Sequence, residues 1–299
     1  SMSVFQSSLI PTVHARFEQD THVAVWRLPT DISQSRLAGR NSPSNACTLI
    51  ALQLVEFIER RNLHFASPTV ARRPLASLSG HGVRAVAGAT TTVPPPQICP
   101  RYMVATFIEA MIDGNEAHEQ ATRTRPASEQ NFTIPDAITA LDSRFDEIDF
   151  CTVSGSFIQQ LPKFIRIALR SPSLSSLARV YFAIIAFERT VLLVADRPTS
   201  AFLLLDSHLH GTLDGKTVDY RLGAIVATAH MTDLLPLTHW MSEHIFPETF
   251  SAHCVQEFEI STIVYKGALD TVDCFDTSPK LARRTPRPVM RPTPIFMYV

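Results

Sequence analysis

Apolar residues recur along the chain at two different spacings, which predict a mixture of helices and strands. The clearest helical spacing runs from Cys47 to Arg60, where apolar side chains occupy nearly every face. Such a helix has to be covered on all sides, so we expect it at the centre of a domain. A second helical stripe runs from Arg101 to Asp113, and Gly114 follows it in the position of a C-terminal cap. Further helices are predicted after Pro135 and from Thr232.

Five segments dense in β-branched and other apolar residues predict strands. They are Thr21 to Arg27, Arg179 to Glu188, Thr190 to Ala195, Ala201 to Ser207 and Val255 to Lys266. Short turns join the middle three, which predicts an antiparallel meander. The fold class is therefore predicted to be α+β, with a central buried helix packed on an antiparallel sheet.

The composition between these elements suggests one domain with long loops. Residues 1–20 are expected to form an N-terminal extension, and residues 21–270 the folded domain. Long loops are predicted at 67–100, which is rich in small residues and proline, and at 115–131, which is polar. Residues 276–299 are basic and proline-rich and are expected to form a tail.

Charge and composition narrow the function classes. The chain has 299 residues, of which 45% are apolar and 18% charged, so an intrinsically disordered chain is excluded. With a net charge of −1, the chain has no overall positive potential that would attract a polyanion such as a nucleic acid. No apolar run is long enough for a membrane span. We expect no nucleic-acid or membrane partner. Without a signal-peptide pattern, an intracellular location, cytoplasmic or nuclear, is expected.

The five cysteines are odd in number, widely spaced and without a C-x-x-C pair, so neither a disulfide framework nor a zinc site is expected. No cofactor or metal is predicted. One of them, Cys47, stands at the first turn of the central helix, after a polar stretch. Unpaired N–H groups and the helix dipole favour a thiolate there. Two roles fit the residue: a small buried hydrophobe, or a nucleophile if a base lies nearby.

The best candidate base ends an apolar strand, where Asp206 and His208 stand two residues apart. Residues i and i+2 of a strand share a face, so Asp206 can orient the His208 ring while His208 takes a proton from a nucleophile. His210 is a weaker candidate, one step further along. The alternative is that Asp206 begins a turn and His208 is exposed without a role.

An amide side chain lies six residues before Cys47. Asn41 could donate a hydrogen bond to the oxyanion of a tetrahedral intermediate, together with the Cys47 main-chain N–H. Asn45 could take the same role. An ordinary turn residue explains Asn41 equally well.

Together these residues resemble the papain-like cysteine proteases: an amide, a cysteine that opens a buried helix, and a histidine on a later strand. The Leu205-Asp206-Ser207-His208 segment, followed by Gly223-Ala224-Ile225, is most similar to the deubiquitinase domain of herpesvirus large tegument proteins. The resemblance implies a papain-like catalytic domain over 21–270, with Cys47 as nucleophile, His208 as general base and Asp206 as its orienter. It further implies ubiquitin, or a ubiquitin-like protein, as partner, and cleavage after its C-terminal glycine. The family has glutamine at the oxyanion position, where this alignment puts Asn41.

Two other functions stay open. A weakly active or inactive papain-like module could bind ubiquitin or another protein without turnover. The second alternative hypothesis is a different thiol chemistry, such as that of an amidase, an acyltransferase or a peptidase that does not act on ubiquitin. The acidic stretch of Asp142, Asp146, Glu147 and Asp149 is either a docking patch for the basic tail of ubiquitin or a solvated face.

Overall fold

A computed structural model describes residues 10–65, 98–210, 223–250 and 257–267. Its centre is an eight-stranded sheet in which every neighbouring pair of strands is antiparallel. The strands are β1 (Arg16–Glu18), β2 (Val23–Arg27), β3 (Phe145–Ser154), β4 (Arg179–Ala186), β5 (Arg189–Asp196), β6 (Ala201–Asp206), β7 (Ile225–His230) and β8 (Glu257–Tyr265). They lie in the order β1-β2-β7-β6-β5-β4-β8-β3, and the predicted meander is confirmed as β4-β5-β6.

Helices cover both faces of the sheet. They are α1 (Cys47–Arg60), α2 (Arg101–Thr122), α3 (Ile134–Ala140), α4 (Phe157–Arg170) and α5 (Leu234–His244). Leu203 and Leu205 of β6 belong to the core shared with α1, α2 and α3, whereas Phe202 and Leu204 belong to the core shared with α4 and α5. This alternation follows from the two-residue period of a strand. The result is a mixed fold of antiparallel sheet and helices in three layers.

The predicted central helix is confirmed in both position and environment. Every residue of α1 from Cys47 to Ile58 is buried, because the sheet covers one side of the helix and α2 covers another. Gly114 explains how the two helices come so close. A Cβ at that position would lie 2.5 Å from Ile50 Cγ1 and 3.0 Å from its Cα.

The prediction that Gly114 ends the second helix was wrong. The helix continues to Thr122, so the first part of the predicted loop at 115–131 is helical. The polar residues after Gly114 are typical of a loop. Two of them, Asn115 and His118, are in fact buried in the helix and hydrogen-bonded to other segments of the chain. The glycine is needed for helix contact rather than for a cap.

Other boundaries also differ from the expectation. The sheet begins at Arg16, inside the predicted extension at 1–20. The predicted tail at 276–299, and all but residues 98–100 of the predicted loop at 67–100, lie outside the described residues. The helix predicted after Pro135 is confirmed as α3, which begins with a capping box between Thr133 and Asp136. In the described ranges, no helix is both long and apolar enough to cross a membrane.

Candidate active site

Cys47 is the first residue of α1 and is almost completely buried, with 7% of its surface exposed. No side chain caps the helix, so the main-chain N–H groups of its first turn stay available to an anion. The hydroxyl oxygen of Ser44, three residues before the helix, accepts a hydrogen bond from the N–H of Ala46 at 3.2 Å. The sulfur therefore lies at the positive end of the central helix dipole.

His208 follows β6 and is oriented by the last residue of that strand. Asp206 is 1% exposed, and its Oδ1 accepts hydrogen bonds from His208 Nδ1 at 2.5 Å and from the His208 main-chain N–H at 3.0 Å. The side chain of His208 is hydrogen-bonded to Cys47. The structure thus brings Cys47, His208 and Asp206 into one connected series of side chains.

The three groups shift one another's pKa values in the direction of an ion pair. Burial opposes charge on all three, but the attraction between them outweighs it. The charge and hydrogen bond of Asp206 raise the pKa of His208 to about 10. The hydrogen bond and charge of His208 lower the pKa of Cys47, and the two histidines nearby hold the pKa of Asp206 well below 3.8. Both shifts favour a thiolate beside an imidazolium.

A second imidazole lies on the same carboxylate. His210 Nε2 is 2.8 Å from Asp206 Oδ2, on the oxygen that His208 does not use. His210 therefore lies behind the pair rather than between His208 and the sulfur.

The amide side chains near the site differ from the one that the sequence singled out. Asn41 is exposed in the segment before α1, and its role in binding an oxyanion stays a prediction. Gln34 is 2% exposed, and its Nε2 donates to the carbonyl oxygen of Ser44 at 2.7 Å. Its Oε1 accepts from the hydroxyl of Ser207 at 2.6 Å. Gln34 thus joins the segment before Cys47 to the residue between Asp206 and His208.

Sequence reasoning missed Gln34 because it lies thirteen positions before Cys47 in a segment without periodicity. The one signal was chemical: the resembled family has glutamine, not asparagine, as its oxyanion donor. Asn115 of α2 completes the network by donating to the carbonyl oxygen of Gln34 at 3.0 Å and accepting from Ser44 Oγ at 2.6 Å.

Cys47 differs from the other cysteines that the structure describes. Cys99 is 2% exposed, and burial raises the pKa of its thiol to about 12. Cys151 lies partly exposed on β3, where burial and Asp149 raise the pKa of its thiol. All three are free thiols, and Cys47 alone among them has a lowered pKa. No cluster of three or more metal-ligand side chains occurs within the described ranges.

The acidic stretch lies far from this site. Asp146, Glu147 and Asp149 belong to β3, four strands away from β6 in the sheet. They pair with the C-terminal half of β8, whereas its N-terminal half pairs with the end of β4 nearest the site. These residues therefore lie away from the catalytic groups, and their role in docking ubiquitin stays a prediction.

No family model matches the chain, and no curated protein matches it. Among solved structures, it is similar to the ubiquitin-specific protease of the murine cytomegalovirus tegument protein M48, solved with a ubiquitin-based suicide substrate. That match has 10% identity and a TM-score of 0.46, and covers 83% of this chain and 88% of the other. The Pseudomonas avirulence protein AvrPphB matches at 14% identity and a TM-score of 0.36, over 73% of this chain and 92% of that one. Both TM-scores are below 0.5, so the chemistry is argued from the site itself.

Proposed function

We propose that the chain is a cysteine peptidase of the deubiquitinase type, which hydrolyses the bond after the C-terminal glycine of ubiquitin or a ubiquitin-like protein. The observation that carries the proposal is the series Cys47, His208 and Asp206, in which a thiol, an imidazole and a buried carboxylate are linked by hydrogen bonds. A nucleophile, a base and a group that orients the base are the parts that acyl transfer needs. The choice of ubiquitin rests on the resemblance of the segment around Asp206 and His208 to the deubiquitinase domain of herpesvirus large tegument proteins.

The first half-reaction would form a thioester. The Cys47 thiolate attacks the carbonyl carbon of the last glycine, and the carbonyl electron pair moves onto its oxygen. When that pair returns, the bond to the amine breaks, and the imidazolium of His208 gives the leaving nitrogen its proton. Asp206 keeps the ring in place and stabilises its charged form before the transfer.

The second half-reaction would return the enzyme to its first state. Neutral His208 takes a proton from water while the water oxygen attacks the thioester carbonyl. The carbon–sulfur bond then breaks and leaves the thiolate of Cys47 beside a protonated His208. The released product is the free C-terminal carboxylate.

An oxyanion forms in both halves, and two amides are available to bind it. Gln34 uses one of its two Nε2 hydrogens on the Ser44 carbonyl, so the second can donate to the oxyanion together with the Cys47 main-chain N–H. We favour Gln34 over Asn41, since it is buried and held on both sides. Loss of one such donor typically costs about 10²–10³ in rate. Gln34→Ala should show that loss, and Asn41→Ala should not.

The proposal is tested by labelling with ubiquitin that carries a C-terminal electrophile. The parent chain should form a covalent adduct, Cys47→Ala should form none, and His208→Ala should react far more slowly. Cys151→Ala is a matched control, because it removes a more exposed thiol that the mechanism does not use.

The same experiment distinguishes the other two functions. A folded chain that binds ubiquitin but forms no adduct would be a binding module. A chain that ignores the ubiquitin reagent, while a small thiol reagent rapidly modifies Cys47, would carry out a different thiol chemistry. Either result would refute the deubiquitinase proposal.

A further inference from the structure

Thr190 contacts the sulfur of Cys47 with two different donors. Its main-chain N–H and its side-chain hydroxyl are both hydrogen-bonded to Cys47. Thr190 is the second residue of β5 and is 3% exposed. Thr190 is paired with Ile185 of β4, but the pairing of β5 with β6 runs only from Leu192 to Asp196, so Thr190 has no partner in the ladder on the β6 side.

The hydroxyl of Thr190 has one proton and two places to donate it. Thr190 Oγ1 lies 2.9 Å from Thr48 Oγ1, and Thr48 Oγ1 lies 3.1 Å from the carbonyl oxygen of Phe132. A carbonyl can only accept, so the single proton of Thr48 goes to Phe132. The proton of Thr190 is therefore shared between Thr48 Oγ1 and the sulfur. A thiolate is a much stronger acceptor than a hydroxyl oxygen, so ionisation of Cys47 draws that proton towards sulfur.

Few charged groups compete with this effect. His208 is the titratable group in contact with the sulfur, with Asp206 and His210 behind it. The eight residues of α1 that follow Cys47 carry no charge. On β5, the neighbouring Arg189 is paired with Glu248.

We propose that Thr190 is a further catalytic residue, whose N–H and hydroxyl bind the thiolate of Cys47 in addition to the imidazolium. The proposal rests on the proposed thiol chemistry but not on ubiquitin as the substrate. The same two donors would stabilise sulfur as the leaving group when the thioester is hydrolysed. No atom is transferred by Thr190, which acts only by donating hydrogen bonds.

The test is the pH dependence of Cys47 alkylation by iodoacetamide, followed by mass spectrometry of the peptide that carries this residue. Thr190→Val keeps the shape and loses the hydroxyl. We expect its alkylation midpoint to shift to higher pH and its rate near pH 6 to fall about tenfold, the size typical of one hydrogen bond to a charged group. Thr190→Ser keeps the hydroxyl, so its Cys47 should be alkylated near pH 6 at a rate within about twofold of the parent rate. A midpoint for Thr190→Val equal to that of the parent would overturn the proposal, and so would a Thr190→Ser variant that behaves like Thr190→Val.

Two further variants separate this role from packing. Thr228→Val is the matched control, because Thr228 is equally buried and its hydroxyl has no hydrogen-bond partner within the described residues. Its alkylation profile should match that of the parent. Thr48→Val removes the competing acceptor for the Thr190 proton, so it should leave the midpoint unchanged or lower it. If Thr190→Val does not fold, the Thr48→Val variant decides the question. An alkylation midpoint of Cys47 that shifts to higher pH in that variant would refute the proposal.

A failure of the Thr190 proposal and a failure of the deubiquitinase proposal would give different experimental results. Alkylation needs no ubiquitin, so a chain that is inert to the ubiquitin reagent can still show the Thr190 shift. A chain that forms the ubiquitin adduct while Thr190→Val titrates like the parent would keep the function and lose this residue.

Discussion

Asn115 provides the sharpest test of how the fold positions the site. Its amide makes two buried hydrogen bonds to the segment that leads into α1. The amide oxygen accepts from the Ser44 hydroxyl, and the amide nitrogen donates to the carbonyl oxygen of Gln34. Asn115→Ala removes both at once. The Ser44 hydroxyl then has no acceptor for its proton, and the carbonyl oxygen of Gln34 loses its donor.

The expected cost follows from these two orphaned groups. Leaving a buried donor or acceptor without a partner costs about 1–3 kcal/mol each, so the variant should lose roughly 2–6 kcal/mol of unfolding free energy. At about 2–4 °C per kcal/mol for a domain of this size, that corresponds to a fall in Tm of roughly 4–24 °C. The same change should slow labelling of Cys47, since Gln34 and Ser44 both shift when Asn115 no longer ties them to α2.

Urea unfolding and thermal melts measure the first effect, and the ubiquitin reagent measures the second at a temperature where both chains are folded. Asn131→Ala is the matched control, because Asn131 is exposed. Ser44→Ala and Asn115→Ala should be less than additive in the double variant, since they remove the same hydrogen bond. A loss below about 0.5 kcal/mol for Asn115→Ala, the range of ordinary surface changes, would refute this account of the network.

Three other changes test separate features. Gly223→Ala should destabilise the chain by more than about 3 kcal/mol in urea unfolding, because its Cβ would lie 1.9 Å from a main-chain oxygen; a parent-like curve would contradict this packing. Asp206→Asn should be less stable than the parent at pH 7. Since the pKa of Asp206 is held well below 3.8 and that of His208 is raised from 6.5 to about 10, the stability difference should shrink as the pH falls below about 4 and also as it rises from about 6.5 to about 10; a difference that does not change with pH would contradict the ion pair. Phe187 and Glu188 have φ values of 50° and 60°, so replacing them by Asn and Gly should raise Tm by removing roughly 1–2 kcal/mol of strain, and an unchanged Tm would count against strain in the turn.

Local chemistry made part of this site predictable from sequence. The start of α1 at Cys47 follows from apolar spacing after a polar stretch, and the structure begins the helix at that residue. The contact between Asp206 and His208 was predicted from two residues on one strand face, but the strand ends at Asp206, and the contact is made in a turn where Asp206 Oδ1 also accepts from the His208 N–H. Both features depend on fewer than fifteen consecutive residues.

The missed features depend on residues that are distant in sequence. Gln34 and Ser207 are separated by 173 positions, and Gly114 is explained by Ile50 of another helix. Thr190 was assigned only to a strand, because nothing near it in sequence shows that Cys47 faces it. Periodicity describes one element at a time, so it does not show which polar residue of one element meets which residue of another.

The electrostatics of the site favour an enzyme over a module that only binds. Burying a carboxylate as completely as Asp206 is costly unless charged or hydrogen-bonding partners compensate, and here two imidazoles lie on it. A binding surface gains nothing from that arrangement, which lies beneath His208 rather than on the surface. Its clearest effect is on protonation, because it keeps His208 charged and thereby lowers the pKa of Cys47. Perturbed groups that depend on one another in this way are typical of sites that transfer protons, which is a property of an enzyme rather than of a binding surface.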